Sequence, residues 1–356
     1  MKNLPVEIKL KILKYFDFDD LFSLKQTNRH FRNLIFKYED DLARKKHRSL
    51  SIIECQEYMP NSVIIDLPLT SQFLDKVKRF ADYECTGLTY KKWKSAIARQ
   101  IPLYLIINEK YSPLNKKIAL SVDTFGELFN LHLPLFPKSI EYLKIIRYWL
   151  KKIVRCVFNL INFTNCVFNP EIIELLFDRE EIQKFKFCGE TIKIFCQNTN
   201  LFKFTFGYLE INKNIYLICN GYENMREFNI LLNILLNEGN KIPQVYINRP
   251  NKYFVALCNQ LLEHIETSKD CPKMVPNIVF NSTEWPNLNI RGIEKNSNTR
   301  TNFSIIKEYE ITNIHNSNLK FSLRIQVFTS RRLNAIREVI IKLSTSNWVV
   351  HLFHCS

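Results

Sequence analysis

Residues 3–38 constrain the fold more than any other stretch, because they specify short helices that cannot stabilise themselves alone. Pro5 suits the first turn of a helix, where its missing N–H has no partner to lose. Plotted at about 100° per residue, Val6, Leu10 and Leu13 share one face of a helix over 6–16. Ile8, Ile12, Tyr15 and Phe16 share a second face, Lys9 lies between the two, and Glu7, Lys11 and Lys14 form the polar strip. A surface helix ordinarily buries one apolar stripe; this one has two. Asp19 is placed to cap a short helix carrying Leu21, Phe22 and Leu24. Asn28 is placed to cap a third, with Phe31, Leu34, Ile35 and Tyr38 on one face. A unit this small rarely holds together without a partner, a metal or a disulfide. The surplus face is therefore expected to dock, either on the rest of this chain or on another protein.

The remaining chain reads as mixed α/β. Short apolar runs predict strands over 103–107, 118–122, 157–163, 202–206, 209–211, 245–247, 277–280, 304–311 and 319–327, with a further element near 335–343. Helical patterns cover 71–82, 90–99, 140–153, 171–177, 227–236 and 253–265. Gly239 is placed to end the 227–236 helix as its C-cap, and 286–302 reads as a polar loop. Strand starts at 157, 202, 245 and 277 suggest a leucine-rich-repeat-like strand–helix array. No L-x-x-L-x-L-x-x-N framework recurs, so a compact α/β domain is the alternative. The expected organisation is an N-terminal helical domain over 1–45, a helical linker region over 46–100, and an α/β recognition domain over 101–356.

Charge and cysteine content bound the chemistry. A formal net charge of +15 invites a nucleic-acid partner. The chain is also rich in Asn, Ile and Phe, which A/T-rich codons encode along with Lys, so composition explains the charge without selection for phosphate binding. The run Arg44-Lys45-Lys46-His47-Arg48 is expected as a solvated helix end. None of the ten cysteines lies in a C-x-x-C pair, so neither a zinc site nor another metal is expected. They are expected as buried free thiols in a reducing compartment. No run of about 18 apolar residues predicts a membrane helix, and residues 1–16 read as a helix rather than as a basic segment followed by an apolar one. Phosphate-loop, dinucleotide, nucleophile-elbow and H-E-x-x-H motifs are absent. Glu180 and Glu181 are adjacent, so a helix would point them apart rather than into an acid/base pair. His351-x-x-His354-Cys355 is not expected to hold a metal. No catalytic residue, cofactor or metal is assigned.

The order of residues in the first segment carries a family resemblance. Leu4-Pro5-x-Glu7-Ile8, then Ile12-Leu13 and Phe16, then Asp20-Leu21-x-x-Leu24, then Asn28-Arg29-x-Phe31-x-x-Leu34-Ile35 resembles the F-box. Asn28 and Phe31 depart from the Cys or Ser and the Trp that many F-boxes carry there. The resemblance implies docking onto the Skp-type adaptor of a cullin-RING ubiquitin ligase, through Leu4, Pro5, Ile8, Ile12, Leu13, Phe16, Leu21 and Leu24, some of which serve the segment's own core. It also implies a non-catalytic role: the rest of the chain binds an unknown substrate protein, in the cytoplasm or nucleus. Residues 169–178, 228–239 and 265–276 resemble segments of a nematode-expanded F-box family. The alternatives are an F-box protein acting outside any ligase and a basic nucleic-acid-binding protein.

Overall fold

The computed structural model describes residues 4–54, 62–66, 87–106, 118–195, 199–218, 225–248, 254–281, 290, 292–300, 304–330 and 333–344. The helix expected over 71–82 lies outside them. The chain forms two compact units, Met1–Thr191 with Phe202–Glu210, and Ile192–Leu201 with Ile211–Ser356.

The first unit opens with three helices, α1 (Val6–Leu13), α2 (Phe18–Thr27) and α3 (Arg29–Lys37). Asn28 caps α3 as expected, its Oδ1 accepting the Phe31 N–H at 2.9 Å. The cap of α2 is Asp17, which accepts the Asp20 N–H at 2.8 Å, and not Asp19. Asp17 has the extended backbone a cap requires, whereas Asp19 lies inside the first turn and favours the helix dipole there.

Next come β1 (Lys45–Glu54), β2 (Ser62–Asp66) and α4 (Gly87–Ala98). The linker expected to be helical over 46–100 thus contains two strands, and the basic run at 44–48 enters β1 rather than ending a helix. Buried Leu50 and Ile52 carry that strand into the sheet. The sheet adds β4 (Ile118–Asp123), β5 (Leu128–His132) and β6 (Cys156–Phe163), in the order β6-β1-β4-β5-β2. β1 runs parallel to β6 and antiparallel to β4, in register from Lys45↔Cys156 and Ser49↔Asp123. A two-stranded sheet pairs β3 (Tyr104–Ile106) with β7 (Cys166–Phe168).

Four further helices are α5 (Ile140–Ile153), α6 (Pro170–Leu176), α7 (Arg179–Lys184) and α8 (Thr199–Tyr208), with β8 (Phe187–Phe195) between the last two. Residues 202–206, expected as a strand, belong to α8. An apolar run that short is ambiguous between the two periods, and tertiary packing decides it. Phe204 sits among Phe163 and Phe187, with ring centroids 5.7 and 6.1 Å away, and Phe168 stacks on Phe187 at 5.3 Å. Trp93 of α4 is wholly buried and donates its indole N–H to the Leu175 carbonyl at 2.8 Å. Asn169 caps α6 while donating to the Pro102 carbonyl at 2.9 Å.

The second unit alternates strands and helices from the expected starts at 245 and 277, but it is not the leucine-rich-repeat-like array expected, because its sheet turns antiparallel after three parallel strands. Its elements are β9 (Leu209–Ile218), α9 (Met225–Asn237), β10 (Val245–Asn248), α10 (Phe254–Thr267) and β11 (Asn277–Asn281). β9, β10 and β11 are parallel neighbours. Four antiparallel strands follow, β12 (Ile293–Arg300), β13 (Ser304–Thr312), β14 (Lys320–Ser330) and β15 (Leu333–Ser344), giving the order β12-β13-β14-β15-β11-β10-β9. β12 replaces part of the loop expected over 286–302. As an edge strand it is held by backbone pairing to β13, which its polar sequence does not announce. Gly239 follows α9 for a reason other than a left-handed cap: a Cβ there would stand 1.9 Å from the Met274 carbonyl oxygen. Its N–H donates to the Lys273 carbonyl at 2.9 Å.

Candidate functional site

The three N-terminal helices have a core of their own. Leu13, Leu21, Phe31, Leu34, Ile35 and Leu42 are buried together, with Phe16, Leu24, Tyr38 and Ala43 packed against them. This divides the eight residues the resemblance implied as contacts. Leu13 and Leu21 are interior, so they cannot touch a partner while the helices stay packed. Phe16 and Leu24 are half-buried against the same cluster, and Ile12 is half-buried on α1. Leu4, Pro5 and Ile8 face solvent.

The surplus face exists in the folded unit. Leu4, Val6 and Ile8 are 38%, 39% and 41% exposed, and Tyr15, Phe22 and Phe36 are more exposed still. Val6, assigned with Leu13 to one face, instead joins Ile8 in solvent. The inward position is taken by Lys9, whose methylene stem is buried and whose Nζ lies 3.2 Å from His30 Nε2. Tyr15, Phe22 and Phe36 were not among the expected contacts. Phe22 and Phe36 gave a weak signal, since each is an aromatic one position away from a core residue. Isolated exposed apolar residues are ordinary; here six large ones fall within the first 36 residues.

The helices are tied to the rest of their unit by polar contacts. Glu39, after α3, pairs with Arg155 after α5 at 3.2 Å. A cleft of about 670 Å³ lies between Phe18 and Tyr38 on one side and Lys151, Phe177 and Phe185 on the other. Lining it as well, Glu181 completes a capping box with Asp178 and accepts from Arg147 at 2.8 Å and Lys151 at 2.7 Å. Burial opposes its ionisation, but these hydrogen bonds and the Arg147 charge overcome that and hold the carboxyl below its ordinary range. Buried Arg147 also donates to the Leu176 carbonyl and stacks over Phe177. Glu181 is thus a structural anion, and Glu180 is not brought to it as an acid/base partner.

In the second unit, the row Ile215–Val245–Ile278 and the row Leu217–Ile247–Phe280 are buried. These parallel strands are consecutive, with α9 and α10 in the crossovers between them. The alternating positions hold Tyr216 and Tyr246, stacked at 4.4 Å, and Asn281 donating to Asn248 at 2.6 Å. These four residues are only half-buried, whereas Val279, in the same row as Tyr216 and Tyr246, is buried.

Among the described residues no group of three His, Cys, Asp or Glu side chains is placed to hold a metal. Cys156, Cys166, Cys188, Cys258 and Cys271 are in no disulfide, and burial pushes the Cys271 thiol up to about 12. No described helix is long and apolar enough to cross a membrane. Arg331-Arg332 and the 351–355 cluster lie outside the described residues.

Residues 1–47 match the F-box-like family model. The N-terminal segment is an F-box-like domain. Residues 59–220 match a second model, a domain of unknown function (DUF8381), which includes the 169–178 segment. No curated protein and no solved structure matches the chain.

Proposed function

We propose that this protein is a non-catalytic substrate-receptor subunit of a Skp–cullin–F-box ubiquitin ligase. F-box domains in general bind Skp-type adaptors, and the observation that carries the reading is that Leu4, Val6 and Ile8 stay exposed while the F-box core beside them is closed. A partner that covers these residues removes apolar area from water without unpacking the domain. Through the adaptor the protein meets cullin and RING subunits, and catalysis belongs to them. The receptor's part is to hold a substrate protein near the transferring centre, where proximity raises the effective concentration. The half-open tyrosine and asparagine face of β9–β11 suits polar and aromatic contacts with that substrate. The resemblance of residues 169–178, 228–239 and 265–276 to a nematode-expanded F-box family supports the same reading, and the site of action is the cytoplasm or nucleus.

The test is affinity purification of the full chain from cells with the proteasome blocked, beside a Leu4→Ala/Ile8→Ala variant. Adaptor, cullin and RING subunits should all co-purify with the intact chain and be depleted from the variant. Adaptor without cullin would place the protein outside a ligase. Binding of neither, with nucleic acid retained and released steeply by salt, would overturn the proposal.

A further inference from the structure

Beneath α5, against the sheet of the first unit, lies a cavity of about 290 Å³ that the adaptor role does not use. Its walls are apolar: Leu120, Leu131 and Phe158 come from the strands, Trp149 and Ile153 from the helix. Phe129 and Val122 close one side. The polar exceptions are Lys45, His47, Thr124, Lys152 and the Cys156 thiol. Lys45, Lys152 and the Cys156 thiol lie at the end where β1 and β6 begin and α5 ends. His47, two residues along β1 from Lys45 and on the same face of that strand, is only 7% exposed and stacked at 5.7 Å on Phe158, and its Nδ1 is buried with no hydrogen-bond partner.

These features set requirements for a ligand. A buried nitrogen without a partner costs stability, and a feature of that kind calls for an explanation such as an absent ligand. The walls offer a place for an apolar group. No lining residue is acidic, whereas Lys45 and Lys152 are both cationic, and neither is ion-paired among the described residues. Arg44 adds its charge, since it, Lys45 and Lys152 all act electrostatically on Cys156. The excess is positive, so the polar end of the ligand is an anion. Size narrows the class further. At about 30 Å³ per water-sized group the cavity holds roughly ten heavy atoms, which is one aryl ring or short alkyl chain with a carboxylate. A phosphorylated sugar or a nucleotide would waste the apolar walls and exceed the volume.

We propose that this cavity binds a small carboxylate bearing a single aryl or short alkyl group, with the apolar end under α5 and the anion at Lys45 and Lys152. The His47 Nδ1–H then donates to the same carboxylate, and the ring stack on Phe158 fixes its orientation. The inference is independent of adaptor docking, because the cavity shares no residue with the exposed F-box surface.

The experiment titrates the full chain with 3-phenylpropionate, followed by calorimetry and by protection of Cys156 from alkylation, which peptide mapping separates from the other cysteines. Saturable binding that protects Cys156 is expected. The uncharged isostere 3-phenylpropanol should bind about fivefold more weakly or worse, as should 3-phenylpropionate to the Lys45→Ala/Lys152→Ala variant. Val122→Phe, which fills the cavity from one side, should abolish binding while the Cys166 and Cys188 thiols stay as protected as in the parent. Equal binding of acid and alcohol, binding that survives Val122→Phe, or saturation without protection of Cys156 would each overturn the proposal. So would protection by a peptide ending in free phenylalanine when the free acid gives none, because the ligand would then be a protein terminus.

Discussion

Ile8 and Leu13 stand on the same short helix and should fail in opposite ways when truncated. Ile8 is 41% exposed. On a residue of roughly 180 Å² that is about 70 Å², and burying it at about 25 cal/mol per Å² contributes about 1.8 kcal/mol. Alanine retains roughly a third of that contact, so Ile8→Ala should weaken adaptor binding by about 1.2 kcal/mol, about sevenfold in Kd. Its effect on folding should stay within about 0.5 kcal/mol, as for other surface substitutions. Leu13 is fully buried against Leu21, Phe31 and Leu34. Leu13→Ala leaves a cavity there and should cost about 2–5 kcal/mol of local stability. The assay pairs calorimetric titration of the adaptor with hydrogen exchange over residues 4–43. Ile8→Ala should lose affinity with exchange unchanged, and Leu13→Ala should lose protection throughout α1–α3. If Ile8→Ala accelerates exchange while binding holds, or if Leu13→Ala weakens binding with protection intact, the division into contact and core residues is wrong.

Three further outcomes follow from the packing. Gly239→Ala should destabilise the second unit by about 2 kcal/mol or more, because the new Cβ meets the Met274 carbonyl and not a movable side chain; thermal unfolding measures it. Buried Asn313 donates to the Ile265 and Ser268 carbonyls at 2.7 and 2.8 Å and accepts the His315 and Asn316 N–H groups at 2.9 and 3.1 Å. Asn313→Ala should cost about 3 kcal/mol, seen as faster hydrogen exchange at the start of β14 and the end of α10. Glu181 titrates below its ordinary 4.5 in the folded chain, so its contribution is complete above that pH and is lost as pH falls through the lower folded value. Glu181→Gln should therefore lower the melting temperature at neutral pH and flatten its decline as pH falls below the ordinary carboxylate value.

The parts of this fold legible in sequence are the local ones. Asn28 sits next to the helix it caps, and Phe31, Leu34 and Ile35 repeat at helical spacing, so both the cap and the buried face of α3 could be read directly. The orientation of α1 could not, because the wheel shows two apolar faces and only the position of α2 and α3 decides which turns inward. Lys9 won that place over Val6 because a lysine stem can be buried while its amine finds His30. Residues 202–206 were misread because phenylalanines at alternate positions satisfy both a strand and one turn of helix; Phe163 and Phe187, distant in sequence, settle it. β12 carries no apolar alternation, and its strand character comes from β13. The cavity at His47 was invisible for the same reason in a stronger form: five elements between Lys45 and Phe158 have to assemble before it exists.

The position of β15 has a consequence for how the protein is made. This strand lies between β11 and β14, so the sheet of the second unit closes around a segment that leaves the ribosome after all its neighbours. Until Ser344 has emerged, β11 presents an unpaired edge beside Val279 and Phe280. At about 5–20 residues per second that interval, from Asn281 onward, lasts roughly 3–13 s. A ribosome stalled or truncated upstream of Leu333 would release a chain whose N-terminal F-box-like domain is complete and whose β11 edge is open. Such a fragment keeps its docking surface while exposing a strand that other chains can extend. Nonsense changes between β14 and β15 are therefore expected to yield insoluble, adaptor-sequestering products rather than silent loss.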